Sequence, residues 1–223
     1  MHIMEGFLPW EWCLLWFLLA LPLAFYGIKK TIEIIRNNPE QKMIVALSGA
    51  FIFLMSSLKL PSVSGSSSHP TGTGLSAVLY GVACTAFLST IVLIFQALLL
   101  AHGGLTTMGA NILSMGIVGP FFGILIWLLL RRLNLSVPIS MFFAAFVANL
   151  MTYVMTSIQL TLAFGGVAGY YTAFIEFMSV FAVTQIPLAI VEGIVFAMFA
   201  KYLVDSRPQI FGLENNEPEA VVS

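Results

Sequence analysis

Long apolar runs separated by short polar links extend along almost the whole chain. The runs occupy residues 8–28, 43–58, 75–101, 108–130, 137–164 and 173–203. Several reach the ~20 residues that an α-helix needs to cross the hydrocarbon core of a bilayer. A helix also satisfies its own backbone hydrogen bonds there, which an open sheet does not. The pattern therefore predicts an all-α integral membrane protein.

Composition strengthens this prediction. Hydrophobic residues make up 59% of the 223 residues, charged residues only 9%, and the mean hydropathy is +0.98. These values lie outside the range of a soluble globular domain. The net charge of -1 argues against a nucleic-acid partner, which would require clustered positive charge. Cys13 and Cys84 lie inside apolar runs, which predicts buried thiols rather than a disulfide framework.

The basic residues indicate which links face the cytoplasm. Four of them separate the first two apolar runs: Lys29, Lys30, Arg36 and Lys42. By the positive-inside rule this link is cytoplasmic, so the N-terminus is extracytoplasmic. The next link then returns to the extracytoplasmic side and carries His69. His2 and His69 are therefore predicted on the same face of the membrane.

The later basic residues require one more reversal of the chain. If residues 75–101 crossed the membrane once, Arg131 and Arg132 would face outward, against the same rule. We expect the chain to turn at Tyr80-Gly81-Val82, with a short helix over 73–80 and a full span over 83–101. That gives seven helices, the third one short, with an extracytoplasmic N-terminus and a cytoplasmic C-terminus.

The first two residues offer a set of metal ligands. A chain that begins Met-His presents the α-amine of Met1, the peptide nitrogen of residue 2 and an imidazole nitrogen of His2. One more nitrogen donor would close the planar set of four that Ni(II) or Cu(II), and less strictly Co(II), accepts. Glu5 and Glu11 stand where a signal peptide would be basic, so we expect Met1 to keep a free amine. Most chains that begin Met-His use neither residue in this way.

His69 is the strongest candidate for the remaining ligand among the three histidines. Neutral imidazole is the commonest protein ligand of transition metals. Ser68 and Thr71 lie beside His69, and they could orient the imidazole or satisfy the backbone of the loop. A lone loop histidine is about as often exposed to solvent, and the residues alone leave both interpretations open.

Two further polar residues lie near or within the apolar runs. His102 precedes Gly103 at an outer helix end, which favours a helix C-cap, with a supporting role beside the metal as the alternative. Glu192 lies deep in the last run, where a carboxylate is costly without a hydrogen-bonding partner, for which Gln96 and Gln185 are the candidates. A structural network is favoured, because no chain of such groups suggests a proton relay.

These features divide the chain into two parts. Residues 1–204 are expected to form a single transmembrane domain, with an N-terminal metal-binding segment at 1–9 and an inserted loop at 61–74. Irregular backbone at membrane depth is tolerated only where protein or a wet cavity surrounds it, so the loop must dip into the protein. Residues 205–223 are polar and acidic and are expected to form a disordered cytoplasmic tail.

Four segments resemble a known family: MHIMEGFLP at 1–9, AFIFLMSSLKLPSVSG at 50–65, SHPTGTGL at 68–75 and FQALLLAHGGLTT at 95–107. The chain resembles the CbiM/NikM family, the substrate-specific membrane subunits of energy-coupling-factor transporters for cobalt and nickel. One departure is Ser67, where many relatives carry cysteine. The resemblance implies that the metal is held by the amine of Met1, by the backbone nitrogen and imidazole of His2, and by His69. Side chains that could support these ligands are Glu5, Ser68, Thr71 and His102.

The resemblance also implies a substrate and partners. Co2+ or Ni2+ would be the transported substrate, with no organic cofactor. The partners would be a transmembrane coupling subunit, two cytoplasmic ATPase subunits and often a small auxiliary membrane subunit, in the cytoplasmic (inner) membrane of a prokaryote. The chain itself has no glycine-rich phosphate loop, so separate subunits would hydrolyse ATP.

Two other functions compete with this one. A proton-coupled secondary transporter would carry the metal alone and would depend on Glu192. An intramembrane metalloenzyme would need an open coordination position and a general base, for which Glu5 is the candidate. The sequence does not decide between cobalt and nickel.

Overall fold

The computed structural model describes residues 2–61, 66–166 and 169–211. The helices are α1 (Trp10–Asn37), α2 (Gln41–Ser57), α3 (Gly74–Leu100), α4 (Met108–Asn111), α5 (Gly119–Arg132), α6 (Val137–Phe164) and α7 (Tyr170–Ser206). A π-helical stretch, Ile112–Val118, joins α4 to α5, and a 3-10 turn, Pro208–Phe211, follows α7. Three short strands complete the fold: β1 (His2–Ile3), β2 (Leu60–Pro61) and β3 (Ser66–Ser68).

Five helical segments are long and apolar enough to cross a membrane. They are Trp10–Asn37, Gly74–Leu100, Met108–Arg132, Val137–Phe164 and Tyr170–Ser206, and the apolar Gln41–Ser57 is shorter. Large apolar side chains point away from the protein along these helices, among them Leu18, Val183 and Met198. An outer surface of this kind suits lipid rather than water. The protein is a mostly helical, multi-pass membrane protein, as predicted.

The chain reverses direction inside α3, at Gly81. This residue has φ 81° and ψ 173°, a conformation that glycine adopts without steric cost. On a straight helix, residues nine positions apart are separated by about 13 Å. The hydroxyls of Ser76 and Thr85 nevertheless lie 2.9 Å apart, so the two arms of α3 fold toward each other. The break falls within the predicted 80–82 turn, while the count of seven helices and the sides that the termini face stay predictions.

The reversal brings both ends of α3 toward the same end of the bundle. Beside the break, the hydroxyl of Tyr80 donates to Oε1 of Gln41 at the start of α2, at 2.8 Å. At the other end of α2, Nζ of Lys59 donates to the carbonyl of Leu100, the last residue of α3, at 3.1 Å. The loop before α3 and the residues after it therefore approach each other.

A small sheet joins the start of the chain to the loop between α2 and α3. The strand order is β1-β3-β2, and both pairs are antiparallel. His2 pairs with Ser67, and Leu60 pairs with Ser68. The prediction of an all-helical fold omitted this sheet, because strands of two or three residues are too short to give an alternating pattern.

Polar side chains of the α4 region hold the first strand in place. The backbone N–H of Ile3 donates to Oδ1 of Asn111 at 2.8 Å, and Nδ2 of Asn111 donates back to the carbonyl of Ile3 at 3.1 Å. Thr107 Oγ1 donates to the same carbonyl at 2.8 Å. The side chain of Ile3 is fully buried in an apolar cluster that includes Trp16 and Phe181. The N-terminal segment is thus part of the folded interior.

Candidate metal site

All three histidines of the chain meet at one end of the bundle. His2, His69 and His102 are 0%, 0% and 2% exposed, and one nitrogen from each lies within 4.8 Å of the others. The ring centroid of His2 is 4.4 Å from that of His69 and 4.2 Å from that of His102. We call these three residues the histidine cluster.

The hydrogen bonds of His69 fix which nitrogen is free to bind a cation. Nδ1 lies 2.7 Å from the carbonyl of Pro70, and a carbonyl only accepts, so Nδ1 carries the proton. Nε2 is then unprotonated and accepts a hydrogen bond from Nδ1–H of His2. Nε2 of His2 has no hydrogen-bond partner among the described residues. Nε2 of His69 and Nδ1 of His2 therefore point into one small space.

His102 joins the cluster through the geometry of the end of α3. Ala101 takes a left-handed conformation with φ 46°, and the N–H of His102 donates to the carbonyl of Gln96 at 3.1 Å. The ring turns inward, where Nε2 lies 2.8 Å from Oγ of Ser67. The C-cap residue of α3 is Ala101 rather than His102. His102 lies beside the other two imidazoles, a position that agrees with the alternative interpretation from the sequence.

Burial keeps the three imidazoles neutral. It lowers the pKa values of His2 and His69 well below the usual 6.5, and the pKa of His102 to about 3. A charged imidazolium would lose its hydration in this environment, and the neighbouring rings add repulsion for His2. Neutral rings offer the lone pairs that a transition metal requires.

The carboxylate of Glu5 accepts hydrogen bonds from Thr106 rather than from the histidine rings. Its Oε1 accepts a hydrogen bond from Oγ1 of Thr106 at 2.6 Å, and its Oε2 accepts one from the N–H of Thr106 at 3.1 Å. These bonds lower the pKa of the Glu5 carboxyl below its usual value. A Cβ on Gly104 would lie 2.3 Å from Oε2 of Glu5, so only glycine permits this close approach. Glu5 is exposed and fastens the N-terminal segment to the loop after α3.

The polar residues that flank His69 bond to α7 instead of to the imidazoles. Oγ of Ser68 lies 2.8 Å from Oγ1 of Thr184. Thr71 donates to the carboxylate of Glu192 from its N–H at 2.8 Å and from Oγ1 at 2.7 Å. Ser67 makes the hydroxyl contact to the cluster, through His102. Ser68 and Thr71 therefore hold the loop, and the loop holds His69.

Glu192 is the anchor of the inserted loop. Besides the two donors of Thr71, it accepts the N–H of Gly72 at 2.7 Å and a hydrogen bond from Nδ2 of Asn149. Gly72 has φ +73°, and a Cβ there would meet the backbone of α2 at 2.8 Å. All four bonds donate to the carboxylate, which indicates a structural network, as the sequence favoured.

The prediction that Gln96 or Gln185 bonds directly to Glu192 is wrong. Gln96 bonds to Ser56 instead, at 2.8 Å. Gln185 is connected through Asn149, since its Nε2 donates to Oδ1 of Asn149 at 2.7 Å and to the carbonyl of His69 at 3.0 Å. The network therefore reaches the backbone of a cluster histidine.

Three parts of the chain to which predictions were attached lie outside the described residues. They are Met1, residues 62–65 of the inserted loop and residues 212–223 of the tail. The neighbouring His2 is fully buried and paired in the sheet, so the described residues begin at the cluster.

The cluster can bind a cation of a limited chemical class. Neutral imidazoles suit borderline metals such as cobalt, nickel, copper and zinc, whereas Mg2+ and Ca2+ prefer oxygen ligands.

Sequence reasoning missed Asn111 and Thr107, which hold Ile3, and Asn149, which links the loop to α6. Their signal was a polar side chain, most clearly an amide, inside or at the edge of an apolar run.

Comparison with known proteins agrees with this chemistry. The model of the family CbiM, the cobalt uptake substrate-specific transmembrane region, matches residues 2–210. The chain belongs to the CbiM family. A cobalt transport protein CbiM from Anoxybacillus flavithermus is 53% identical over 204 residues, which cover 91% of this chain and 82% of that protein. A CbiM from Methanococcus voltae is 53% identical over 212 residues, covering 95% and 94%.

Solved structures support the CbiM fold. A crystal structure of a transition metal transporter has a TM-score of 0.81 and 25% sequence identity, and the match covers 95% of this chain and 96% of that chain. A truncated transition metal transporter matches with a TM-score of 0.80 at 24% identity. This CbiM chain is thus a membrane protein of a cobalt uptake family, and its relatives are named as transporters rather than enzymes.

Proposed function

We propose that this chain captures Co2+ or Ni2+ on the extracytoplasmic side of a prokaryotic cytoplasmic membrane. In this proposal it is the substrate-specific subunit of an ATP-driven energy-coupling-factor transporter. The observation that carries the proposal is the burial of all three histidines, with lowered pKa values, beside the start of the chain. Membership of a cobalt uptake family supports transport over catalysis.

The ligands are four nitrogens from three residues. They are the amine of Met1, the backbone nitrogen and Nδ1 of His2, and Nε2 of His69. A metal bound to the backbone nitrogen of His2 can also reach Nδ1 of the same residue. The two donors then form a favourable chelate ring with the metal. Nδ1 faces Nε2 of His69, in agreement with this assignment. The planar arrangement suits the metals that accept four nitrogens.

The distribution of basic residues supports the orientation. Arg207 lines a surface depression together with Pro39 and Lys42 of the α1–α2 link. Arg131 lies over the ring of Trp127, which contacts Phe211 after α7. These residues belong to the end of the bundle away from the histidine cluster. By the positive-inside rule, this distribution supports an extracytoplasmic position for the cluster.

The partners follow from a division of labour. The sequence contains no phosphate-binding loop, so energy for release must come from outside this chain. We propose a transmembrane coupling subunit, two cytoplasmic ATPase subunits and a small auxiliary membrane subunit as that source. The chain would supply the cation site, and the partners would drive the change that opens it to the cytoplasm.

Uptake in reconstituted vesicles tests this proposal. The chain is incorporated alone, or with the coupling and ATPase subunits, and the entry of radioactive cobalt is followed with and without ATP. We expect ATP-dependent uptake by the full complex only, and its loss in His2→Ala and His69→Ala. The matched control is Gln159→Leu, which removes a buried amide that bonds to the carbonyl of Ala110 instead of to the cluster.

The rival mechanism gives a different result in the same assay. A proton-coupled transporter would accumulate cobalt with this chain alone under an imposed pH gradient. Glu192→Gln does not separate the two mechanisms, because its amide would face four donors that now bond to a carboxylate and would disturb the loop. Uptake by the chain alone that follows the pH gradient would contradict the proposed function.

A further inference from the structure

We propose that His102 is a fifth ligand of the transported cation and that it favours cobalt over nickel at this site. The inference rests on the proposed function, since it adds a donor to that ligand set. Neither the ligand set of Met1, His2 and His69 nor the family description assigns a role to this residue.

The geometry of His102 is that of an available ligand. Its ring is 98% buried and its Nδ1 has no hydrogen-bond partner among the described residues. Oγ of Ser67 engages the opposite nitrogen, Nε2, at 2.8 Å. When Nε2–H donates to Ser67, Nδ1 keeps a lone pair that no described residue engages. A buried polar atom without a partner is costly, and a bound cation would satisfy it.

His102 adds a donor to a set that already holds four nitrogens. Its centroid is 4.2 Å from that of His2, and the two planes are inclined by 43°. One nitrogen of each of the three rings lies within 4.8 Å of the others, so one metal can contact all three. The coordination number then rises from four to five.

A fifth donor affects the two metals differently. Nitrogen sites generally bind nickel more tightly than cobalt, so a site for cobalt must select by geometry and ligand number. Four nitrogens in a plane stabilise the low-spin, planar form of Ni(II), and a donor above the plane removes that advantage. Co(II) accepts five ligands readily. His102 therefore opposes the ordinary preference for nickel.

Two substitutions distinguish metal binding by His102 from the packing and hydrogen bonding of its ring. His102→Phe keeps a planar ring against His2 and removes both nitrogens. Ser67→Ala keeps the imidazole and removes only its hydrogen bond. The matched structural control is Gln96→Met, which alters a buried side chain near the same end of α3 that bonds to Ser56 rather than to the cluster.

The test measures affinities and coordination together on the purified full chain. For His102→Phe we expect the affinity for Co2+ to fall at least about tenfold while that for Ni2+ falls much less. X-ray absorption of the cobalt form should change from five nitrogen neighbours to four. Ser67→Ala should retain five neighbours, and Gln96→Met should leave both the affinity ratio and the coordination number unchanged.

The outcomes distinguish the two proposals. If the unmodified chain binds metal through His2 and His69, but His102→Phe leaves the affinity ratio and the cobalt coordination number unchanged, this inference is wrong and the proposed function stands. Equal losses for both metals with five neighbours retained would also overturn it, since they indicate a packing role. If the unmodified chain binds neither metal, both proposals fail.

Discussion

A buried imidazole can bind a metal only when its protonation state and orientation are set in advance, and the structure sets both for His69. The carbonyl of Pro70 selects the Nδ1–H tautomer, and Gln185 donates a hydrogen bond to the backbone carbonyl of His69. The pairing of His2 with Ser67 brings the second ring to the same point. The ligands are therefore positioned by hydrogen bonds of the backbone, and the flanking Ser68 and Thr71 act on the loop.

The lowered histidine pKa values predict the pH dependence of metal binding. Because both pKa values are lowered well below 6.5, the rings of His2 and His69 stay neutral from pH 6.5 to 8. Only protons at the start of the chain are then displaced, because a free α-amine titrates near pH ~8. We expect log Kd to rise by about one per unit fall in pH if the amine alone deprotonates, and by about two if the residue 2 amide does so as well.

Titration calorimetry of the purified chain at several pH values measures this slope. A peptide of the first three residues, Met-His-Ile, is the matched control, because its solvated imidazole should add an inflection near pH ~6.5. The same inflection in the folded protein would mean that the rings titrate normally and are not buried as described.

At the scale of the elements, the reversal at Gly81 matters most, because it lets α3 begin and end near the cluster. The sequence predicted this break from charge alone, since Arg131 and Arg132 had to face the cytoplasm. It did not predict the sheet that fixes His2 opposite Ser67, because strands so short leave no periodic signal. It also named the wrong direct partners for Glu192, Gln96 and Gln185, because partners of a buried carboxylate depend on contacts across helices that are distant in sequence.

Gly81→Ala tests the reversal. Space is not limiting, because a Cβ would meet nothing within 4 Å, but φ +81° is strained for any residue with a side chain. We expect a loss of about 1–2 kcal/mol in the free energy of unfolding, with weaker metal binding. Gly49→Ala is the control, since Gly49 lies inside α2 and its Cβ would make an ordinary contact of 3.6 Å with Leu88. Thermal unfolding in detergent measures both variants, and equal stability of the two would contradict a strained turn at Gly81.

At the scale of the whole molecule, the histidine cluster and most basic residues lie at opposite ends of the bundle. This separation predicts an extracytoplasmic site above a cytoplasmic surface that faces the proposed ATPase partners. The sequence predicts the orientation through the positive-inside rule and the site through the Met-His start, and both stay predictions. The third histidine needed the fold, because only the left-handed turn at Ala101 directs His102 inward.

Labelling of single cysteines tests the orientation. Both native cysteines are buried, so new ones at exposed positions should react selectively. We expect Leu105→Cys, near the cluster, to react with a membrane-impermeant maleimide in intact cells. Met43→Cys, at the start of α2, should react only after permeabilisation. The reverse pattern would mean that the site faces the cytoplasm.

The central claim is that the start of the chain and His69 together hold one divalent cation inside the protein. Its most direct test compares the Kd for Co2+ of the full chain with its native start, verified by intact mass, and of a chain with one alanine added before Met1. The control carries the same alanine after Ser223. We predict that the N-terminal addition weakens binding by at least about 100-fold, because it replaces the amine ligand with an amide, while the C-terminal addition changes nothing. Unchanged affinity in the N-terminally extended chain would contradict the account.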